Sequence, residues 1–213
     1  LTSEAIRQAV ELEVATYQSL FGRVPRVAVA TTFVWNEIVE DAWAKSGIEA
    51  IVTPGHRATN RDSTGQPGGI DASMLSGECS PDGPVYLVRD VYFEPALGHG
   101  PERLVKGLDQ RVRQGRACLV ETHRFNFLQS LDASLATLEI GLNSALTACP
   151  ALRFMSPLEL AHAMNARDPA WIETRLMPRL IAWRARLDEI PRFRRVAQLS
   201  GLVWPLGWLE RAA

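Results

Sequence analysis

The chain has 213 residues, 46% of them apolar and 22% charged, with a formal net charge of -1. That length permits one large domain or two small ones with a real core, and the near-neutral balance offers no basic face for nucleic acid. No run reaches the roughly 18 to 20 apolar residues that span a bilayer, and no signal-peptide pattern is visible at Leu1. Nearly all the basic residues are arginine, Lys45 and Lys106 being the only lysines. The cysteines Cys79, Cys118 and Cys149 form no CxxC pair, so neither a zinc knuckle nor a redox dithiol is expected. Cys118 reads as a small core residue, and the unpaired set favours a reducing, cytoplasmic setting for the chain as it stands.

An amphipathic helix opens the chain (Ala5, Ile6, Ala9, Val10, Leu12, Val14, Tyr17, Leu20, Phe21) and stops at Gly22, with Pro25 beyond. A start inside a helix without an initiator methionine points to a piece of a longer parent. Residues 26–30 read as a strand, Asn36 to Gly47 as a helix and 48–52 as a second strand. Residues 55–83 are polar, aperiodic and rich in Gly, Ser, Thr, Asp and Pro. They read as a loop with at most a helical turn near Asp71, and loops this long are usually functional or disordered. A third strand at 85–88, a helix ending at Gly115, a fourth strand at 117–120, a helix stopped by Pro150 and a fifth strand at 152–155 follow. Ser156 then caps a helix with Pro157 at its first position. Asp168 starts an arginine-rich helical segment broken at Pro191, and an apolar stretch from Leu202 to Leu209 closes the chain.

This alternation, with strands apolar throughout, predicts an α/β fold of parallel strands and crossover helices. The expected division is a partial or distorted (β/α) barrel over 1–165 and a helical appendage over 166–213. The appendage is expected to cover the side or open edge of the barrel, and an uncovered edge would invite self-association.

Ligands of parallel α/β sheets bind at the carboxyl ends of the strands. Those ends carry Phe33, Trp35 and Asn36; His56 and Arg57; Arg89, Asp90, Tyr92 and Glu94; and Glu121, His123, Arg124 and Asn126. One polar rim facing a cleft would collect them. Each has a plainer role open to it: Asn36 as a helix cap, Asp90 as the partner of an arginine, Trp35, Tyr92 and Phe93 as packing residues. His99, between two glycines, reads as a solvated turn residue, and His162 as part of an ordinary helix face. No HxxxH, HExxH, GxSxG, P-loop or post-strand GxGxxG pattern occurs.

The stretches FGRVPRVAVATTFVWNE, GIEAIVT, ETHRFNF and LRFMSPLELA resemble the carboxy-terminal part of polysaccharide deacetylase-like proteins, in the glycoside hydrolase/deacetylase barrel superfamily. The carriers are Thr122-His123-Arg124-Phe125-Asn126 and Met155-Ser156-Pro157-Leu158-Glu159-Leu160, and the resemblance covers about residues 10 to 165. It implies a barrel acting on polysaccharide or oligosaccharide, with the cell envelope as the setting of the parent. It also implies a zinc-like divalent metal whose ligands are not identifiable in this chain, and a leaving-group acid that corresponds best to His123. Beside Glu121, that imidazole is placed to donate a proton near neutral pH. The expected catalytic residues are His123, Glu121 and Asp90. Substrate contacts are expected from Arg124, Asn126, Trp35, Asn36, Arg89, Glu94 and His56. Two alternatives stand beside this: a glycosidase of the same barrel type using carboxylates from Asp90, Glu94 and Glu121, and a non-catalytic carbohydrate-binding remnant.

Overall fold

The computed structural model describes residues 2–30, 33–128, 130–187 and 191–204, the last stretch without the side chains of 191–193. Contact, rather than chain order, divides the chain into two compact units: Leu1–Arg89 with Arg153–Asp168, and Asp90–Leu152 with Pro169–Ala213.

In the first unit, helix α1 (Ser3–Phe21) begins where the Thr2 hydroxyl accepts the Ala5 N–H and ends at Gly22. Gly22 lies at φ +68°, the left-handed conformation that lets its N–H cap Gln18 O. Strand β1 (Val27–Val29) leads to helix α2 (Glu37–Lys45), capped by the Asn36 side chain on Val39 N at 3.2 Å. Strands β2 (Ala50–Thr53) and β5 (Val85–Val88) complete a parallel sheet in the order β1-β2-β5, with Val27 opposite Ala50 and Ile51 opposite Tyr86. Helix α5 (Pro157–Ala166) packs on β2 and β5 and starts with the expected Ser156 cap and Pro157, closed into a capping box by Glu159. Ile51, Trp43, Trp35, Ala28, Met74 and Tyr86 are the centre of this core.

Residues 55–83 are not a loop. Strands β3 (His56–Arg61) and β4 (Pro67–Ser73) form an antiparallel hairpin with a bulge at Arg57/Ala58, and Asp71 lies in β4 rather than in a helical turn. Its turn is organised by Asp62, whose Oδ1 accepts from Thr64 N at 2.8 Å and Gln66 N at 3.0 Å. No apolar alternation marks these strands in the sequence, since half of β3 and more than half of β4 is exposed. The connection from β2 to β5 therefore carries an antiparallel hairpin where a loop was expected.

Arg57 ties that hairpin to the core. It is 6% exposed and meets Asp71 through Nε and Nη2 (2.9 and 3.0 Å), Glu40 Oε1 at 3.2 Å and Glu37 Oε1 at 3.2 Å. Glu40, 1% exposed, also accepts the Trp35 indole N–H and the Tyr86 hydroxyl, both at 2.7 Å. Burial, reinforced by the Glu40 carboxylate, pushes the Tyr86 hydroxyl above its ordinary pKa, so it remains a donor.

In the second unit, β6 (Val91–Tyr92) pairs in parallel with β7 (Val120–Glu121), Val91 opposite Val120 and Tyr92 opposite Glu121. Helices α3 (Glu102–Arg113) and α4 (Leu131–Ala148) pack around Val91, Phe93 and Leu104. Close approach depends on two glycines: a Cβ on Gly107 would lie 2.5 Å from Val91, and one on Gly141 2.7 Å from Leu104. Cys118 packs against the same cluster, and burial pushes its thiol up to about 11. The fourth strand is thus only its last residue, Val120, extended by Glu121. Residues 152–155 form no strand, Phe154 being largely exposed without a ladder partner. The arginine-rich segment is helical only as α6 (Leu176–Arg186), and Pro191 opens helix α7 (Pro191–Leu199) instead of breaking one. The closing apolar stretch lies outside the described residues from Pro205 onward.

The architecture is α/β with parallel strands, and among the described residues the strands close no barrel. No described helix is long and apolar enough to cross a membrane.

Replacing Arg57 with methionine leaves the Glu40 carboxylate buried without its cation, so R57M is expected to destabilise the chain by about 3–5 kcal/mol in urea unfolding. E40Q, which keeps one acceptor oxygen, replaces the other with an amide donor that the Tyr86 hydroxyl can accept and removes the charge, is expected to cost clearly less.

Candidate functional site

β6 and β7 run in parallel side by side, so the residues just past their ends are neighbours. Past β6 comes Glu94; past β7 come Thr122 and His123. The backbone carries the pairing on by one step, Phe93 N donating to Glu121 O at 2.8 Å. Glu94 is thereby set against His123, with its Oε1 2.5 Å from Nδ1. Its other oxygen accepts the His123 backbone N–H at 3.3 Å and the Asn126 amide.

Asn126 is fully buried and fully used. Besides Glu94, its amide nitrogen reaches Thr122 Oγ1 at 3.1 Å and His123 O at 2.7 Å, while its Oδ1 accepts Ala96 N at 3.0 Å. The single 3-10 turn Arg124–Phe127 brings this amide back over the strand tip, and Ser134 Oγ pins the turn to α4 by donating to Asn126 O at 2.6 Å. The His-Arg-x-Asn spacing has a mechanical reason: three residues place the amide beneath the imidazole it helps to orient.

Glu94 is 0% exposed. Burial alone would raise its pKa, but hydrogen bonds from the His123 ring, from Asn126 and from the His123 N–H outweigh it and hold the carboxyl below its ordinary value. An ionised Glu94 accepts from Nδ1, so His123 Nδ1 carries the hydrogen and Nε2 is the nitrogen left to face outward. Nε2 lies 3.4 Å from Glu121 Oε1, and the His123 side chain is 48% exposed. The assembly runs from a sealed carboxylate through an oriented imidazole to a partly exposed carboxylate.

His99 belongs to it too. Its Nδ1 accepts the Glu94 backbone N–H at 2.9 Å, which makes it a fastening of the β6 tip where a solvated turn residue was expected. The αL turn at Gly98 (φ +82°) folds His99 back over the five residues that separate it from Glu94.

The remaining candidates lie elsewhere. Asp90, nearly buried, meets Arg116 Nη2 at 2.6 Å and lies 3.5 Å from Arg111 Nε. Arg124 is exposed on the 3-10 turn. In the first unit Trp35 is buried against Glu40, Asn36 caps α2, and His56 opens β3. Arg89 stands 4.1 Å above the Phe33 ring, and Phe33 holds a left-handed φ of +60° at the end of β1. Thr31 and Thr32 lie outside the described residues. His56 is thus part of the first unit, and Asp90 and His123 are part of the second. His162, read as part of an ordinary helix face, meets Glu49 at 2.6 Å.

Among the described residues, no group of three or more His, Cys, Asp and Glu side chains is arranged to hold a metal ion. The donor set at the β6–β7 tips does not fit a resident ion, because Glu94 occupies one His123 nitrogen and is itself enclosed by donors.

Residues 1–89 match the model of the family described as glycosyl hydrolase family 57. The match ends where the first stretch of the first unit ends. It supports a glycoside-hydrolase-type domain and does not single out a polysaccharide deacetylase-like protein. No curated protein and no solved structure matches the chain.

A depressed carboxyl pKa contributes stability above the unfolded-state value and loses it as pH falls toward the folded one. E94Q is therefore expected to lower the urea midpoint at pH 7, with the gap to wild type narrowing as pH falls below the ordinary glutamate range toward the lowered value of Glu94. A gap independent of pH between 7 and 3 would show that the charge on Glu94 carries none of it.

Proposed function

We propose that this chain is part of a carbohydrate-active hydrolase that cleaves glycosidic bonds, with the β6–β7 tips as its acid–base element. The observation that carries the reaction class is the match of residues 1–89 to glycosyl hydrolase family 57, which favours the glycosidase reading over deacetylation. A partial (β/α) barrel is the architecture this reading expects, and the parallel ladders β1-β2-β5 and β6-β7 are the pieces that suit it.

Burial sorts the three candidate carboxylates. Glu94 is sealed and Asp90 is nearly buried against two arginines, so neither suits direct contact with a sugar. Glu121 keeps an exposed fraction and stands beside Nε2. In this reading His123 and Glu121 meet the substrate, and Glu94 acts through His123 as a positioning residue. In its doubly protonated form the imidazole gives up the Nε2 proton to the leaving glycosidic oxygen as the C–O bond breaks, keeping the Nδ1–H on Glu94. The Glu121 carboxylate stabilises the positive charge growing at the anomeric carbon until water adds there and returns a proton. Glu94 contributes by fixing the tautomer and ring plane, so no reorientation is needed during transfer.

The test is release of new reducing ends from a panel of α- and β-linked glucans and chitin. H123A and E121Q are each expected to lower kcat by about 10²–10⁴-fold with the fold retained, and E94Q to lower it less while altering the pH profile. Wild-type hydrolysis that survives H123A would remove the imidazole from the mechanism.

A further inference from the structure

We propose that Tyr92 and Phe125, with the His123 imidazole between them, form a stacking subsite for a pyranose ring, a proposal that takes its substrate class from the glycosidase reading. The three rings are contiguous. Tyr92 lies 5.8 Å from His123 between ring centroids at an interplanar angle of 70°, and Phe125 lies 5.9 Å from it at 15°. They make a corner: two nearly parallel faces and a wall standing almost upright against them.

Both flanking rings are kept in the open. Tyr92 and Phe125 are each 39% exposed, although each adjoins a residue that is wholly or nearly buried, Phe93 and Asn126. Neither ring depends on a mobile segment for its place. Tyr92 is held by its ladder pairing with Glu121 and by Arg103 Nε donating to its carbonyl at 2.5 Å, with the His99 ring packed edge-on at 5.7 Å. Phe125 sits in the turn whose next residue, Asn126, is bonded at every polar atom of its amide. Side chains with little freedom to lose present contact area at low entropic cost on binding.

The chemistry of the corner fits a sugar better than a flat aromatic or a lipid. A pyranose has C–H faces that rest on aromatic rings and hydroxyl edges that need hydrogen-bonding partners. Glu121 supplies an acceptor beside the rings, and Nε2 of His123 lies 3.4 Å from it. A hydrocarbon ligand would desolvate both groups without offering either a hydrogen-bonding partner, which disfavours it. A ring stacked here lies against the nitrogen that handles the proton, so the subsite selects which glycosidic oxygen is presented to His123.

Two readouts on the full chain separate this subsite from the hydrolase reading. The first is saturation-transfer NMR of maltohexaose, cellohexaose and chitohexaose against wild type, Y92A, F125A and Y92F, with urea midpoints confirming that each variant folds. At least one hexaose is expected to show transfer to ring C–H protons. Its Kd is expected to rise about tenfold or more in Y92A and in F125A, while Y92F, which keeps the ring, retains binding. The second is reducing-end release by wild type and H123A. Binding lost in both alanine variants without any hydrolysis keeps the subsite and removes the glycosidase reading. Hydrolysis dependent on His123 with Kd in Y92A and F125A within about twofold of wild type keeps that reading and overturns the subsite. Absence of binding by all three hexaoses overturns the subsite as well.

Discussion

A carboxylate removed from water must be met by donors on every side, and Glu94 is the place where the second unit satisfies that demand. Its partners come from a strand tip, a 3-10 turn and the backbone between them: the His123 ring and N–H, and the Asn126 amide. Asn126 in turn fastens Ala96, Thr122 and the turn that α4 holds through Ser134. The position of His123 and the orientation of its ring follow in large part from the one buried charge. Had Glu94 been an alanine, the same strands could still pair, but nothing would choose an orientation for the imidazole.

The first unit contains a second buried carboxylate, and the comparison separates structure from chemistry. Glu40 is enclosed by Arg57, the Trp35 indole and the Tyr86 hydroxyl, all of which are themselves in the core. Its network ends on Asp71 and Glu37 at the hairpin and α2, and its evident work is to hold β3–β4 against the parallel sheet. Glu94 is enclosed as completely, yet its chain of contacts passes through His123 to a half-exposed nitrogen beside Glu121. The Glu40 network closes on groups of the core, whereas the Glu94 network reaches two titratable side chains, His123 and Glu121, that keep solvent exposure.

The family match and this geometry rest on different parts of the chain. The match covers residues 1–89, whereas the Glu94–His123–Asn126 assembly lies within residues 94–126. The match supports a glycoside-hydrolase-type domain, and burial separates the candidate carboxylates from one another. Neither depends on a metal, and the expectation of one came only from the resemblance to deacetylases.

Much of this was legible in the residues alone, for a definite reason. Apolar runs, capping residues and helix stops act over a few positions, so α1 with its Gly22 cap, α2 behind Asn36, the buried strands β2 and β5 and the Ser156–Glu159 box could be read directly. The cluster of polar groups after Val120 was equally visible, because a charge run following apolar sequence stands out. What could not be read locally was partnership. The hairpin β3–β4 has polar, exposed strands whose anchor is an arginine reaching a helix seventeen residues earlier, and only folding brings Arg57 to Glu40. Glu94 and His123 are twenty-nine residues apart and became a pair because two short strands run in the same direction. The sequence by itself determined the local caps and helix stops and the polar run that follows Val120. The tertiary structure decided which polar groups are sealed, which are exposed and which touch, because burial and hydrogen bonding belong to pairs of distant residues and not to any one stretch of chain.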